Sequence, residues 1–202
     1  GESIRDDSVH RVAQRGIGRT FQNLAMFGTL TVMENVMTGA YCRSGEGFMA
    51  AMLRLPHVAR QEAVVQRRAE ELLELMDLSP YAKVAVASLP FAIQKRVEMA
   101  RALASQPTLL LLDEPAAGLN HEELGKLAST IRHVRDAMGI TVLLVEHHMG
   151  LVMGISDHVV VLNFGQRIAD GVPEEVRNNP KVIEAYLGAG RERPTPKEVA
   201  VH

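Results

Sequence analysis

The sequence has a single cysteine, no tryptophan and no long apolar run. As the only cysteine, Cys42 cannot form a disulfide within the chain, which fits a reducing, cytosolic setting. The longest apolar stretches, at residues 109–112 and 159–162, are much shorter than the roughly 20 residues of a membrane-spanning helix. No N-terminal apolar stretch with flanking positive charge resembles a signal peptide. We therefore expect any membrane association to be peripheral.

The sequence also has no excess of charge of one sign. Its 22 basic and 24 acidic residues give a formal net charge of −2, and they form no long run of Lys or Arg. Binding to a nucleic-acid backbone normally demands a basic face, so nucleic acid is not an expected partner. The 202 residues are 47% hydrophobic and 23% charged, which is typical of a globular protein with one substantial core.

In the first half of the chain, the spacing of apolar residues mainly predicts helices. A short helix is predicted at residues 9–14, followed by an extended stretch at 16–21. Helical periodicity begins at Thr31, becomes strong and charged over residues 57–78, and returns after Pro90 to about Ser105. We interpret residues 23–89 as an all-helical subdomain.

The second half of the chain alternates strands with helices. Strand-like runs at residues 108–112, 141–146 and 158–164 alternate with helices, one of them at 121–138, and this order predicts a parallel sheet in an α/β fold. Their Leu and Val runs without polar alternation indicate strands buried on both faces. The last strand is expected to fold back as a hairpin through residues 164–171. Residues 1–22 and 90–188 would form the core, and 189–202 a disordered tail.

Two acids follow the apolar run of four leucines, in the order Asp113, Glu114, Pro115. They come at the carboxyl end of a predicted strand, which is where open α/β sheets bind ligands. In nucleotide hydrolases such an aspartate holds Mg²⁺ and a following glutamate polarises the attacking water. The alternative from these residues alone is a turn with exposed acids before a proline.

His147 and Gln22 also follow predicted strands. His147 comes after Val142 to Val145, and its imidazole can donate a hydrogen bond to a phosphate while it stays near neutral. Gln22 follows the extended stretch, and its amide can bridge a water and a metal shell because it both donates and accepts. Without further context, either residue is more often structural.

These residues carry a resemblance to the ATPases of ABC transporters. LLLLDEPAAGLN is similar to that family's Walker B and D-loop segments, VEHHM resembles its switch-histidine segment, and GRTFQN resembles its Q-loop. The resemblance covers about residues 9–188. It implies a RecA-like P-loop NTPase core with a helical insert, with ATP and Mg²⁺ as cofactors.

The resemblance also implies a role for each site residue. Asp113 and Gln22 would associate with Mg²⁺, Glu114 would be the general base, and His147 would contact the terminal phosphate. Asn120, in the D-loop segment, would face a partner subunit near the nucleotide. His148 stands where the family usually has an acid, and we assign it no role.

The segment from Met26 to Val36 is similar to importers of branched-chain amino acids and related amides. This resemblance implies membrane permease subunits and a second ATP-binding subunit as partners, a solute-binding protein as an indirect one, and a location at the cytoplasmic face of the membrane. Met26, Phe27, Met33 and Met37 would form either an apolar groove for a permease helix or ordinary core.

The sequence departs from the family at two motifs. At the position of the signature Leu-Ser-Gly-Gly-Gln it has Leu89-Pro90-Phe91-Ala92-Ile93, and the phosphate-binding motif G-x-x-x-x-G-K-[ST] occurs nowhere. Proline at 90 suits the start of a helix, although it removes a hydroxyl and a backbone donor. The second departure leads us to expect that the chain is an N-terminally truncated ATPase, active only when complete.

Two other readings of the sequence stay open. The departures also fit a non-catalytic paralogue that docks on permeases or on an intact ATPase. A soluble ABC-type ATPase with a role in translation or DNA repair is the third reading, although the insert is too short for the long coiled coil of the repair proteins.

Overall fold

The computed structural model describes residues 3–20, 26–41 and 56–188. The chain divides into two compact units that part between His147 and His148. The division of the first unit into a core and a helical subdomain stays a prediction. Within the described ranges, no helix is both long and apolar enough to cross a bilayer.

The first unit contains five α-helices among its described residues, and their order matches the sequence pattern. Ser8 caps the first helix by accepting a hydrogen bond from the Arg11 N–H, and Gly139, in the left-handed region at φ 61°, ends the last one. The helices are α1 (Val9–Gln14), α2 (Val32–Ala40), α3 (Pro56–Leu75), α4 (Phe91–Ala104) and α5 (His121–Met138).

A three-stranded parallel sheet lies in the same unit. Its strands are β1 (Ile17–Arg19), β2 (Leu109–Asp113) and β3 (Thr141–Val145), in the order β1-β2-β3. The central strand pairs along its whole length with β3, from Leu109 opposite Thr141 to Asp113 opposite Val145. The predicted α/β fold with parallel strands is therefore confirmed.

The prediction that the strands are buried on both faces is met on one face of β2 only, because the other face is half-buried, and it is wrong for β3 among the described residues. Leu110 and Leu112 of β2 are each 1% exposed, whereas Leu143 and Val145 of β3 are each 55% exposed. Alternate side chains of a strand point to opposite faces of a sheet, so one face of β3 is largely exposed among the described residues.

Helices α2, α3 and α4 pack together and supply about half of the buried apolar residues described in this unit. The closest approach is at Gly39 of α2, where an added Cβ would lie 1.9 Å from the Arg101 carbonyl oxygen of α4. Only glycine lets the two backbones come this close. The fully buried large side chains from these helices are Val32, Val36, Leu72, Leu73, Val97, Met99 and Leu103.

Asn35 is a polar side chain within this apolar layer, and it is fully buried. Its Oδ1 accepts from the Phe27 N–H, and its Nδ2 donates to the carbonyls of Phe27, Leu30 and Thr31. These bonds satisfy a buried amide, as burial requires. They also hold the segment before α2, from which Phe27 projects with 54% of its surface exposed.

The second unit contains three described helices and a two-stranded antiparallel sheet. The elements are α6 (Met149–Ile155), β4 (Val159–Asn163), β5 (Gln166–Gly171), α7 (Pro173–Arg177) and α8 (Pro180–Gly188). Val159, Ala169, Val176 and Val182 form its core. A hydrogen bond from His158 and the nearby Arg167 guanidinium hold the pKa of the Asp170 carboxyl below its usual range.

The predicted hairpin is confirmed, and it changes the place of the third predicted strand. Among the described residues β4 pairs with β5 alone, so the expectation that residues 158–164 extend the parallel sheet is wrong there. The turn explains the pairing, because Phe164 and Gly165 both have positive φ, at 45° and 76°. Such a turn matches the twist of an antiparallel pair.

Candidate active site

The carboxyl ends of β2 and β3 lie side by side. Asp113, the last residue of β2, is opposite Val145, the last residue of β3. Glu114 follows the first strand and His147 follows the second, so parallel pairing brings them to the same edge of the sheet. Three of the four predicted site residues from strand ends are thereby brought together.

The side chains at this edge are close enough to act on one group. The Nδ1 atom of His147 lies 4.0 Å from Oε1 of Glu114. The neighbouring Asp113 accepts a hydrogen bond at its Oδ2 from Nη2 of Arg19, at 3.1 Å, so β1 contributes a cation to the same edge. About a third of each carboxylate side chain is exposed, and His147 is 76% exposed, so all three can reach a bound molecule.

Glu114 has an unusual backbone conformation. Its φ is 46°, in the left-handed region that non-glycine residues seldom adopt. Such a conformation costs about 1–3 kcal/mol and occurs preferentially at functional sites. Its N–H donates to the Val145 carbonyl at 2.9 Å, which continues the contact between β2 and β3 past the last strand residue.

Glu146 connects the loop after β2 to the end of β3, a role that the sequence reasoning missed. Its Oε1 accepts from the Ala116 N–H at 2.7 Å, and its Oε2 accepts from the His147 N–H at 3.1 Å. One carboxylate thereby ties the segment that carries Glu114 to the segment that carries His147. The signal available in the sequence was an acid directly before the candidate histidine.

Asn120 begins helix α5 as its N-cap. Its Oδ1 accepts from the Glu123 N–H at 3.0 Å, and Glu123 accepts from the Asn120 N–H at 2.8 Å. This capping box fixes the end of the loop that starts at Glu114. The predicted contact of Asn120 with a partner subunit stays a prediction.

Gln22 lies outside the described residues, so its predicted part in the site is not located. The preceding strand does run toward the same edge, because the Thr20 N–H donates to the Leu111 carbonyl of β2 at 3.0 Å. Outside the site, His148 caps helix α6 by accepting from the Leu151 N–H, which gives a structural role to a residue that had none assigned.

The residues at the position of the signature motif precede helix α4. Pro90 is its N-cap, with φ −56°, and no side chain caps the helix there. The predicted start of this helix near Pro90 is confirmed.

The donor set of the site fits a magnesium ion that is mainly held by phosphates. The described residues contain no group of three or more His, Cys, Asp and Glu side chains that could hold a metal by themselves. Mg²⁺ typically takes one or two carboxylates together with substrate phosphates and water. A single partly exposed carboxylate at Asp113 is compatible with that kind of binding.

Comparison with known families gives two matches. The family described as ABC transporter matches residues 1–117, which is more than half of the chain. The family described as branched-chain amino acid ATP-binding cassette transporter matches residues 166–192.

Individual relatives match nearly the whole chain. The high-affinity branched-chain amino acid transport ATP-binding protein BraF of Pseudomonas aeruginosa is 42% identical over 188 residues, which are 93% of this chain and 74% of that protein. The corresponding protein LivG of Escherichia coli is 41% identical over 178 residues, or 88% of this chain and 70% of that protein. Among solved structures, an ATP-binding cassette of an ABC transporter in its ADP conformation is 30% identical with a TM-score of 0.75, covering 93% of this chain and 74% of the other.

Proposed function

This chain belongs to the ABC transporter family as an ATP-binding cassette, and we propose that it hydrolyses ATP to drive the import of branched-chain amino acids or related amides. The solute class is proposed from the relatives, whose names describe high-affinity branched-chain amino acid transport. The observation that carries the hydrolytic function is the meeting of Asp113, Glu114 and His147 at one edge of the parallel sheet.

Each of these side chains has a chemical task in the proposed reaction. Glu114 accepts the proton of the attacking water, and His147, beside it, donates a hydrogen bond to the terminal phosphate. Asp113 and Gln22 would hold Mg²⁺, and the bound ion would neutralise charge on the phosphates. The Arg19 guanidinium pairs with Asp113 at 3.1 Å and partly offsets the negative charge of that carboxylate.

The proposed partners follow from the same family membership. They are membrane permease subunits and a second ATP-binding subunit, with a solute-binding protein as an indirect partner, and the place of action is the cytoplasmic face of the membrane. Asn120, at the start of α5, faces the second subunit in this proposal. Phe27 is suited to permease contact because it is exposed on a segment that Asn35 holds in place.

A second candidate is a docking module without ATP turnover. It is favoured by the segment Leu89-Pro90-Phe91-Ala92-Ile93, which differs from the family signature. The two candidates differ in whether the protein, with any residues that precede Gly1, releases phosphate from ATP.

The test compares two acid-to-amide substitutions in the full gene product with its permease. Glu114→Gln removes the proposed base, and kcat for phosphate release is expected to fall by at least about 100-fold. Glu122→Gln is the matched control, because Glu122, in the first turn of α5, is 77% exposed and its ion pair with Lys126 lies at the surface. The control is expected to keep kcat within about twofold, since exposed ion pairs contribute little to stability.

The outcomes separate the candidates. Equal rates for the unsubstituted protein and Glu114→Gln would remove Glu114 as the base. A protein that binds its permease but never releases phosphate would be the docking module.

A further inference from the structure

The backbone of Glu114 is held from both sides. Its N–H donates to the Val145 carbonyl at 2.9 Å, and its own carbonyl oxygen accepts from the Ala117 N–H at 3.1 Å. The same carbonyl oxygen lies 3.5 Å from the Nζ atom of Lys95 on helix α4. The strained φ of 46° is therefore maintained by contacts with β3, with the following turn and with a helix from elsewhere in the sequence.

Lys95 is unusual because it is a buried cation. Only 7% of its surface is exposed, and removing an ammonium group from water is costly unless it gains compensating contacts. Its Nζ lies 5.4 Å from the centre of the Phe91 ring, a cation–π distance. Glu98, which is 3% exposed, lines the same cavity of about 10 Å³.

The buried Lys95 and the candidate site border the same cavity. Asp113 and Pro115, on either side of Glu114, line it together with Lys95. The Phe91 ring packs on the same loop further along, where a Cβ added to Gly118 would lie 3.1 Å from Cε1 of the ring. The first turns of α4 thus support the loop from residue 114 to 118 at two points.

We propose that Lys95 is a positioning residue for Glu114, an inference that rests on the proposed function. Its ammonium group lies 3.5 Å from the Glu114 carbonyl oxygen in a site largely closed to water, where the attraction between a charge and a carbonyl dipole is weakly screened. Without this contact the strained residue relaxes, and its carboxylate moves away from the attacking water. Small displacements of a reacting group reduce the rate greatly, because catalysis depends on near-attack geometry.

The test uses Lys95→Met, which removes the donor but retains an unbranched stem that suits the apolar neighbours. In the full gene product with its permease, kcat is expected to fall about tenfold, while KM for ATP stays within about twofold. Arg96→Met is the matched control, because the Arg96 guanidinium also donates to a backbone carbonyl, that of Met76, away from the site. It is expected to lower thermal stability similarly and to keep kcat within about twofold.

A double variant distinguishes positioning from a general structural role. If Lys95 acts through Glu114, adding Lys95→Met to Glu114→Gln changes the residual rate by less than about twofold. A full tenfold fall in that background, or a kcat equal to that of Arg96→Met, overturns the inference. If Glu114→Gln alone has no effect, the proposed function fails instead.

A second substitution keeps the test decisive if the Met variant does not fold. Lys95→Gln fits the same space and retains an N–H donor without the charge, so kcat is expected to fall about threefold. That fall is expected to vanish in the Glu114→Gln background, and an unchanged kcat overturns the inference.

Discussion

Glu114 combines a strained backbone with a partly exposed carboxylate. Glycine usually occupies left-handed positions because it has no Cβ, but here a glutamate adopts that conformation, at φ 46°. Substituting glycine there would relieve strain, yet the chain keeps an acid beside His147. Strain of this kind persists where the surroundings determine one conformation, which fits a residue whose carboxylate must be held in place.

Asn120 gives a prediction at the residue scale. Asn120→Ala removes the N-cap of α5, and the free energy of unfolding is expected to fall by about 1 kcal/mol in urea titration. Asn120→Asp keeps an acceptor for the Glu123 N–H and is expected to retain stability within a few tenths of a kcal/mol.

The Asp variant also tests the proposed place of Asn120 at a second subunit. A new negative charge near the nucleotide is expected to lower kcat although stability is retained. Unchanged phosphate release by the stable Asp variant would show that Asn120 acts as a helix cap alone.

At the scale of elements, the contact between α2 and α4 depends on one missing side chain. Gly39 lies against the backbone of α4, and both the Arg101 carbonyl and the Ala104 Cβ are within reach of an added methyl group. Gly125 lies in α5 with nothing within 4 Å of the same position. A side chain at position 39 would therefore clash with α4, whereas a side chain at position 125 would meet no other atoms.

These glycines give a matched pair of substitutions. Gly39→Ala forces the helices apart and is expected to lower the free energy of unfolding by about 2–3 kcal/mol. Gly125→Ala removes a poor helix former from an open surface and is expected to raise it by about 0.5–1 kcal/mol. Urea unfolding of both variants checks the pair, and a stable Gly39→Ala protein would contradict the close approach of α2 to α4.

Helices were predictable from the sequence because their signals are local. The bounds of α1 and α5 agree with the helices predicted from periodicity at residues 9–14 and 121–138, and the structure shows Ser8 and Asn120 capping their first turns. The hairpin of β4 with β5 was predictable too, because its turn is local. The absence of β4 from the described parallel sheet was not, because an apolar run of four residues has the same pattern in either setting and a parallel neighbour depends on contacts distant in sequence.

At the scale of the whole molecule, the meeting of the site residues at one sheet edge was predictable from the sequence, but the contacts that hold them in place were not. Asp113, Glu114 and His147 follow strand-like runs, so parallel pairing was enough to bring them together. The support from Glu146 and Lys95 comes from packing between a loop, a strand and a helix. No spacing in the sequence specifies such contacts, because they are set by how the elements pack.

The central claim is that Glu114 and His147 act on the same bound ATP. It is tested most directly by the phosphate-release rates of Glu114→Gln, His147→Ala and the double variant, each in the full gene product with its permease. Both single variants are expected to lose at least about 100-fold in kcat, and the double variant is expected to lie within about tenfold of the slower single one, because residues that act as a unit are not additive. Fully additive losses, or an unchanged rate in His147→Ala, would contradict the account.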